Sequence, residues 1–180
     1  RQIHGYYGGG TLAGESKNIL KEGMLNSKHK IIDFGDDQYT KGRPHPMIDP
    51  TTRVEAVKNL KRLEDVAVVL LDNVIGYGSN TDMAGSLGPA IMEVNEYYKD
   101  SGREIVFLAS VCGTEMDKQV YSQQVRILEE SGVLVLDSNA SAAKLAKEAV
   151  EYLDKKNDIK KDVKPNILNS ELRIINVGLE

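Results

Sequence analysis

The feature that most constrains this chain is a regular alternation of short apolar runs with helical stripes. The run over 66–71 is rich in valine and has no polar alternation, which is typical of a strand covered on both faces. The stretch over 52–63 instead carries apolar residues at the spacing of one helical face. This strand-then-helix order recurs along the chain, so it predicts right-handed crossovers and a parallel sheet with helices on both sides.

The alternation defines the predicted architecture. We predict an α/β fold: a three-layer flavodoxin-like or Rossmann-like domain with a five-stranded, mainly parallel sheet. We expect one domain over 1–153, a charged linker over 154–165, and a segment over 166–180 that begins a following element. Because the chain opens at Arg1 rather than methionine, we expect it to come from a longer protein. The predicted strands are 3–7, 30–34, 66–71, 104–109 and 133–136, and the predicted helices are 11–21, 52–63, 85–101, 117–131 and 138–153.

Composition excludes several classes of protein. The chain has 23 basic and 27 acidic residues, a net charge of −4, and no Lys/Arg cluster free of acids, so we expect no nucleic-acid partner. The longest apolar run has six residues, so we expect no membrane span. Since Cys112 is the single cysteine, we expect neither a disulfide framework nor a cysteine-rich metal site. We expect a cytoplasmic protein in which Cys112 is a small buried thiol rather than a nucleophile.

The loops that follow the strands are where function is expected. In doubly wound parallel sheets, ligands bind at the carboxyl ends of the strands, near the point where the strand order reverses. The loops at this edge are 8–11, 35–51, 73–83 and 110–116, and most loops at the opposite edge are shorter. This asymmetry predicts one functional edge.

The first of these loops is a glycine turn, residues 8–11, which joins the first strand to the first helix. Gly8, Gly9 and Gly10 allow a ligand to approach the backbone closely, and the helix N-terminus attracts an anion, to which Thr11 adds a hydroxyl. The spacing matches neither the dinucleotide fingerprint nor the Walker loop. The turn therefore predicts phosphate binding, the alternative being a tight turn that merely needs glycine.

The second loop carries the densest set of polar residues. Two prolines bracket His45 and fix its backbone, and Arg43 has the geometry to bind a carboxylate or phosphate. We assign His45 as acid/base or nucleophile, Arg43 as the neutralising cation, and Asp36 and Asp49 as residues that orient His45. The alternatives are a surface histidine and a divalent-cation site built from the aspartates of this loop.

The two remaining loops offer weaker candidates. Asp72 and Asn73 follow the apolar run of the third strand and precede Gly76, which suggests either a carboxylate in the ligand crevice or an Asx turn. Gly113 and Thr114 follow the fourth strand, where their backbone groups are predicted to close the anion site.

The ordered set of motifs resembles the ligase domain of succinyl-CoA synthetase subunits over about residues 3–153. The loop over 42–50, taken with the glycine turn, is more similar to the FdrA proteins, which are acyl-CoA-synthetase-like and contain the same domain. The matching motifs are the glycine turn, Ile32-Asp33-Phe34-Gly35, Leu70-Leu71-Asp72-Asn73 with Gly76, Gly113-Thr114, Ser131-Gly132 and the alanine-rich helix from Ala142 to Val150.

The resemblance implies acid–thiol ligase chemistry on an acyl phosphate and CoA thioester, with Gly9, Gly10 and Thr11 facing the anion. It equally implies the alternative of carbamoyl transfer with oxamate and carbamoyl phosphate, and CoA, phosphate or an acyl phosphate as ligand. Other domains or subunits would complete an oligomeric enzyme. The phosphohistidine of the synthetases falls in a loop matching 110–116, where this chain has no histidine. A third possibility is a non-catalytic domain that docks a partner subunit.

Overall fold

The computed structural model describes the backbone of residues 1–21 and 29–162 and the side chains of residues 1–21 and 29–156. The predicted C-terminal segment, 166–180, lies outside these residues. The strands are β1 (Gln2–Tyr7), β2 (Lys30–Asp33), β3 (Val66–Val74), β4 (Val106–Cys112) and β5 (Val133–Leu136). The helices are α1 (Gly10–Lys21), α2 (Asp37–Thr40), α3 (Thr51–Asn59, continued by a 3₁₀ turn over Leu60–Arg62), α4 (Met83–Asp100), α5 (Tyr121–Glu130) and α6 (Asn139–Asp162).

The five strands form one sheet in the order β2-β1-β3-β4-β5, and every neighbouring pair is parallel. The predicted α/β fold with a five-stranded parallel sheet is therefore confirmed. The chain turns outward to β2 after β1 and to β4 after β3, so the strand order reverses between β1 and β3. This reversal opens a crevice at the carboxyl ends of those two strands.

The core lies on both faces of β3, whose residues are buried from Val66 to Asn73. One face packs against α3, α4 and α5 through a large apolar cluster that includes Val57, Leu87 and Phe107. On the other face, α1 and α6 meet β1 through a buried polar contact, because the Tyr7 hydroxyl hydrogen-bonds Ser16 and Asn139. Helices thus pack on both faces of the sheet and hold β1 and β3 in place.

Several element boundaries differ from the predicted ones; β4, for example, runs over Val106–Cys112 and so includes the first residues of the loop predicted over 110–116. Strand β3, the loop over 35–51, α5 and α6 differ as well. Strand β3 continues to Val74 because its last residues pair with β4. A short helix, α2, forms inside the loop predicted over 35–51, since the Asp36 carboxylate caps it. Helix α5 begins four residues late because Asp117 ties the preceding turn to Thr114.

A further difference concerns α6, which continues to Asp162 and so includes residues 154–162 of the segment predicted as a linker. By compactness the chain divides into Arg1–Val150 and Glu151–Glu180. None of the helices in the described part of the chain is long and apolar enough to cross a membrane.

His4 makes the stability of the fold depend on pH. Its ring hydrogen-bonds the Tyr6 hydroxyl and the Gln2 side chain, and burial lowers its pKa to about 4, helped by the nearby charge of Lys30. Because the unfolded pKa is about 6.5, the unfolded chain binds this proton more tightly. The free energy of unfolding is therefore unaffected by His4 above pH 6.5 and falls as the pH drops from about 6.5 towards 4.

We expect His4→Gln to reduce the slope of the unfolding free energy against pH in this range, because the variant loses the side chain that takes up as much as one proton on unfolding. Urea unfolding across pH 4–8 measures this slope. An unchanged slope would contradict the assignment.

Candidate functional site

The glycine turn leaves backbone donors free at the carboxyl end of β1. The first helical hydrogen bond of α1 runs from the Ala13 N–H to the Gly9 carbonyl. Within the described part of the chain, the N–H groups of Gly9, Gly10 and Thr11 donate to no acceptor, and Gly10 and Thr11 are exposed. The start of a 12-residue helix therefore presents several unsatisfied donors to solvent, which is the arrangement that binds anions.

The loop after β2 folds back onto this turn through Gly35. The backbone N–H of Gly35 donates to Asp33 Oδ1 over 2.8 Å. His45 Nε2, Asp33 Oδ1 and the Gly8 carbonyl oxygen all lie within 3.1 Å of the point that a Cβ on Gly35 would occupy. Only glycine fits there, so its absent side chain allows His45 to reach the glycine turn.

A single hydrogen bond fixes the tautomer of His45. The Met47 N–H donates to Nδ1 over 3.2 Å. Nδ1 must then hold a lone pair, so a neutral ring carries its proton on Nε2, the atom that faces Gly35 and the turn. In this tautomer, Nε2–H is a hydrogen-bond donor, and the lone pair of the ring is already engaged by Met47.

Asp33 is the acidic residue beside the turn. Its second carboxylate oxygen, Oδ2, lies 2.8 Å from the position that a Cβ on Gly10 would take. The carboxylate therefore sits at the N-terminus of α1, where the helix dipole stabilises a negative charge. The two acids predicted to orient His45 lie elsewhere: Asp36 accepts from Gln38 at the start of α2, and Asp49 accepts from the Thr51 amide and hydroxyl.

The hydrogen bonds from Thr51 also lower the pKa of the Asp49 carboxyl group. Neither the Asp36 nor the Asp49 carboxylate hydrogen-bonds the His45 ring within the described residues, although the Asp49 N–H donates to the His45 carbonyl. Arg43 is exposed, and its guanidinium makes no hydrogen bond to any described residue. The structure thus brings His45 to the glycine turn and leaves Arg43, Asp36 and Asp49 on the outer part of their loop.

A buried ion pair lies in the crevice between β1 and β3. Arg53, in the first turn of α3, and Asp72 are each 1% exposed, and Arg53 Nη2 donates to Asp72 Oδ1 over 2.8 Å. The same nitrogen donates to the carbonyls of Tyr6 and Asp72, and Asp72 Oδ1 accepts the Gly8 N–H over 2.9 Å. Sequence reasoning missed Arg53, although it shares a helical face with Val57 and Leu60.

The remaining predicted residues belong to a hydrogen-bonded network of loops. Asn73 lies inside β3 and donates to Gln124, and Gly76 exchanges two hydrogen bonds with Gln119. The Thr114 amide and hydroxyl both donate to Asp117, so these donors are engaged within their own loop. Gly113 has a φ of 155° and a Cβ there would lie 2.1 Å from Ile75, so only glycine fits.

Cys112 is the last residue of β4. The residue is half-buried, and this burial raises the pKa of its thiol, as does the nearby negative charge of Asp72. At neutral pH the group is therefore a protonated thiol with little nucleophilic character. Among the described residues, no group of three or more His, Cys, Asp or Glu side chains is placed to hold a metal ion.

Comparison with known proteins identifies the family of the chain. The family model of the CoA-ligase domain matches residues 6–149. The chain therefore belongs to the CoA-ligase family, and the predicted CoA-ligase domain is confirmed.

A relative in Escherichia coli (strain K12) is the uncharacterized protein YahF. It is 36% identical over 169 residues, which cover 83% of this chain and 33% of YahF. The chain thus spans about a third of the length of this relative.

Two adjacent glycines provide a matched test of the site geometry. A Cβ on Gly10 would lie 2.8 Å from Asp33 Oδ2, whereas a Cβ on Gly9 would meet nothing within 4 Å. We expect Gly10→Ala to displace Asp33 and so to shift the amide resonance of Gly35, because that amide donates to Asp33 Oδ1, whereas Gly9→Ala should leave it unchanged. ¹⁵N–¹H NMR of both variants measures this difference. An unchanged Gly35 amide in both variants would show that Asp33 does not lie over the start of α1.

Proposed function

We propose that this domain binds the phosphate group of an acyl phosphate in an acid–thiol ligase reaction that forms or consumes a CoA thioester. The observation that carries the proposal is the set of free N–H groups at Gly9, Gly10 and Thr11, beside the Nε2–H of His45. These donors suit an oxyanion that gains charge as the acyl–oxygen bond breaks. Membership of the CoA-ligase family supports this class of reaction.

His45 acts in this scheme as a donor to phosphate rather than as its covalent carrier. Its Nδ1 is capped by the Met47 amide, and its Nε2 bears the proton. A phosphohistidine, if the reaction uses one, would come from another domain or subunit. Binding of CoA and nucleotide is likewise assigned to the other parts of an oligomeric enzyme.

Carbamoyl transfer is the second candidate, and the position of His45 favours it. The loop over 42–50 is the segment that resembles the FdrA proteins, and it is this loop that brings His45 to the turn. Carbamoyl phosphate presents the same phosphate group as an acyl phosphate, so the same donors would hold it. Direct transfer from carbamoyl phosphate needs no phosphohistidine, which agrees with the tautomer of His45.

A docking role is the third candidate, and two exposed side chains favour it. Tyr77 and Met116 are almost completely exposed on the loops that follow β3 and β4. Aromatic and methionine side chains are enriched in protein interfaces. A docking surface at this edge would also place a partner beside the glycine turn, so docking and catalysis can share it.

Ligand-dependent unfolding separates the two candidates that bind phosphate. We expect acetyl phosphate or carbamoyl phosphate to stabilise the chain by about 2.7 kcal/mol at 100 times its Kd. The measurement is thermal unfolding with phosphate, acetyl phosphate, carbamoyl phosphate and CoA tested separately. A preference for carbamoyl over acetyl phosphate would favour transfer, and stabilisation by CoA alone would contradict phosphate binding at the turn.

Replacing Asp33 is predicted to strengthen the binding of acetyl phosphate, which the same experiment can measure. Its carboxylate lies at the N-terminus of α1 and repels an incoming phosphate. Asp33→Asn should therefore tighten acetyl phosphate binding several-fold. Asp37→Asn, which changes an exposed acid at the start of α2, should change it little because solvent and salt screen its charge. Equal effects of the two variants would place the phosphate away from the turn.

A further inference from the structure

The buried ion pair of Arg53 and Asp72 is costly for the fold. Within the described residues, Arg53 Nε and Asp72 Oδ2 are buried without a hydrogen-bond partner. Unsatisfied buried polar atoms oppose folding, and an apolar pair of similar size is often as stable or more stable. Stability alone therefore does not account for these two residues.

Their position suggests what they do. Arg53 Nη2 donates to a carbonyl near the carboxyl end of each strand that flanks the crevice, Tyr6 of β1 and Asp72 of β3. Asp72 Oδ1 accepts from both Arg53 and the Gly8 N–H. The guanidinium thus fixes the carboxylate, and the carboxylate fixes the first residue of the glycine turn.

This contact also decides which donors remain free. With the Gly8 N–H turned inward to Asp72, the amides of Gly9, Gly10 and Thr11 are left for a ligand. Arg53 Nη1 lies 3.4 Å from the position that a Cβ on Gly8 would take, so the guanidinium also supports the turn from below.

We propose that Arg53 and Asp72 are positioning residues, which hold the glycine turn in the conformation that binds phosphate. The inference rests on the proposed function, because it concerns the same anion site. In this view, the specificity of the site for an anion comes from the conformation of the glycine turn. The buried pair imposes that conformation, rather than a surface residue of the loops.

The test replaces the pair without leaving a buried charge. In the double variant Arg53→Met/Asp72→Leu, the Gly8 N–H loses its acceptor while the interior becomes apolar. We expect the variant to remain folded in urea unfolding, because both buried charges are removed together, and its affinity for acetyl phosphate, followed by ¹⁵N–¹H NMR, to fall tenfold or more. The amide resonances of Gly8, Gly9 and Gly10 should shift.

Two further variants sharpen the test. Asp72→Asn keeps an oxygen that accepts from Gly8, so we expect its folded form to bind acetyl phosphate within about threefold of the wild type, a difference worth less than about 0.7 kcal/mol. Glu93→Gln removes the exposed ion pairs to Lys58 and Lys61 and should change neither affinity nor the glycine resonances.

Each outcome decides between the two claims. A double variant that binds like the wild type would overturn the positioning role, as would an Asp72→Asn variant that loses affinity tenfold while its glycine amides stay in place. If the wild type itself does not bind acetyl phosphate, the proposed function fails. The positioning role is then judged on the glycine amides, and their invariance in the double variant, or in Asp72→Ala if the double variant does not fold, would overturn it.

Discussion

One guanidinium group joins the two central strands where the sheet reverses its order. Arg53 reaches the ends of both β1 and β3, and Asp72 carries that contact on to the glycine turn. A crevice at this point is where doubly wound sheets bind ligands. In this protein the bottom of the crevice is filled by the chain's own ion pair, so a ligand is left with the rim, where backbone amides are the available donors.

The rim balances opposing charges. The N-terminus of α1 and the Nε2–H of His45 favour an anion, whereas Asp33 beside Gly10 opposes one. We therefore expect this site to bind phosphate only moderately, which would suit a step in which phosphate enters or leaves. The same Gly35 that brings His45 to the turn also places Asp33 there, so donor and repelling acid are set by one contact.

The sequence predicted the layers of the fold, because the alternation of buried strands and helices determines them. The same alternation indicated the carboxyl edge of the sheet, and the residue types there indicated the glycine turn and His45; that site stays a prediction. It chose Asp36 and Asp49 over Asp33, since loop position alone cannot show which carboxylate a turn through Gly35 brings inward. Arg53 was missed because a charged residue on an apolar helical face is read as solvated, and only the register of α3 against β1 and β3 reveals the buried partner.

The central claim is that phosphate binds to the backbone of the glycine turn. A crystal structure of the protein with acetyl phosphate tests it most directly. Phosphate oxygens should lie within hydrogen-bonding distance of the Gly9, Gly10 and Thr11 amides and of His45 Nε2. The Gly8 amide should still donate to Asp72. A phosphate bound at Arg43 or in the loop after β4, with the turn unoccupied, would contradict it.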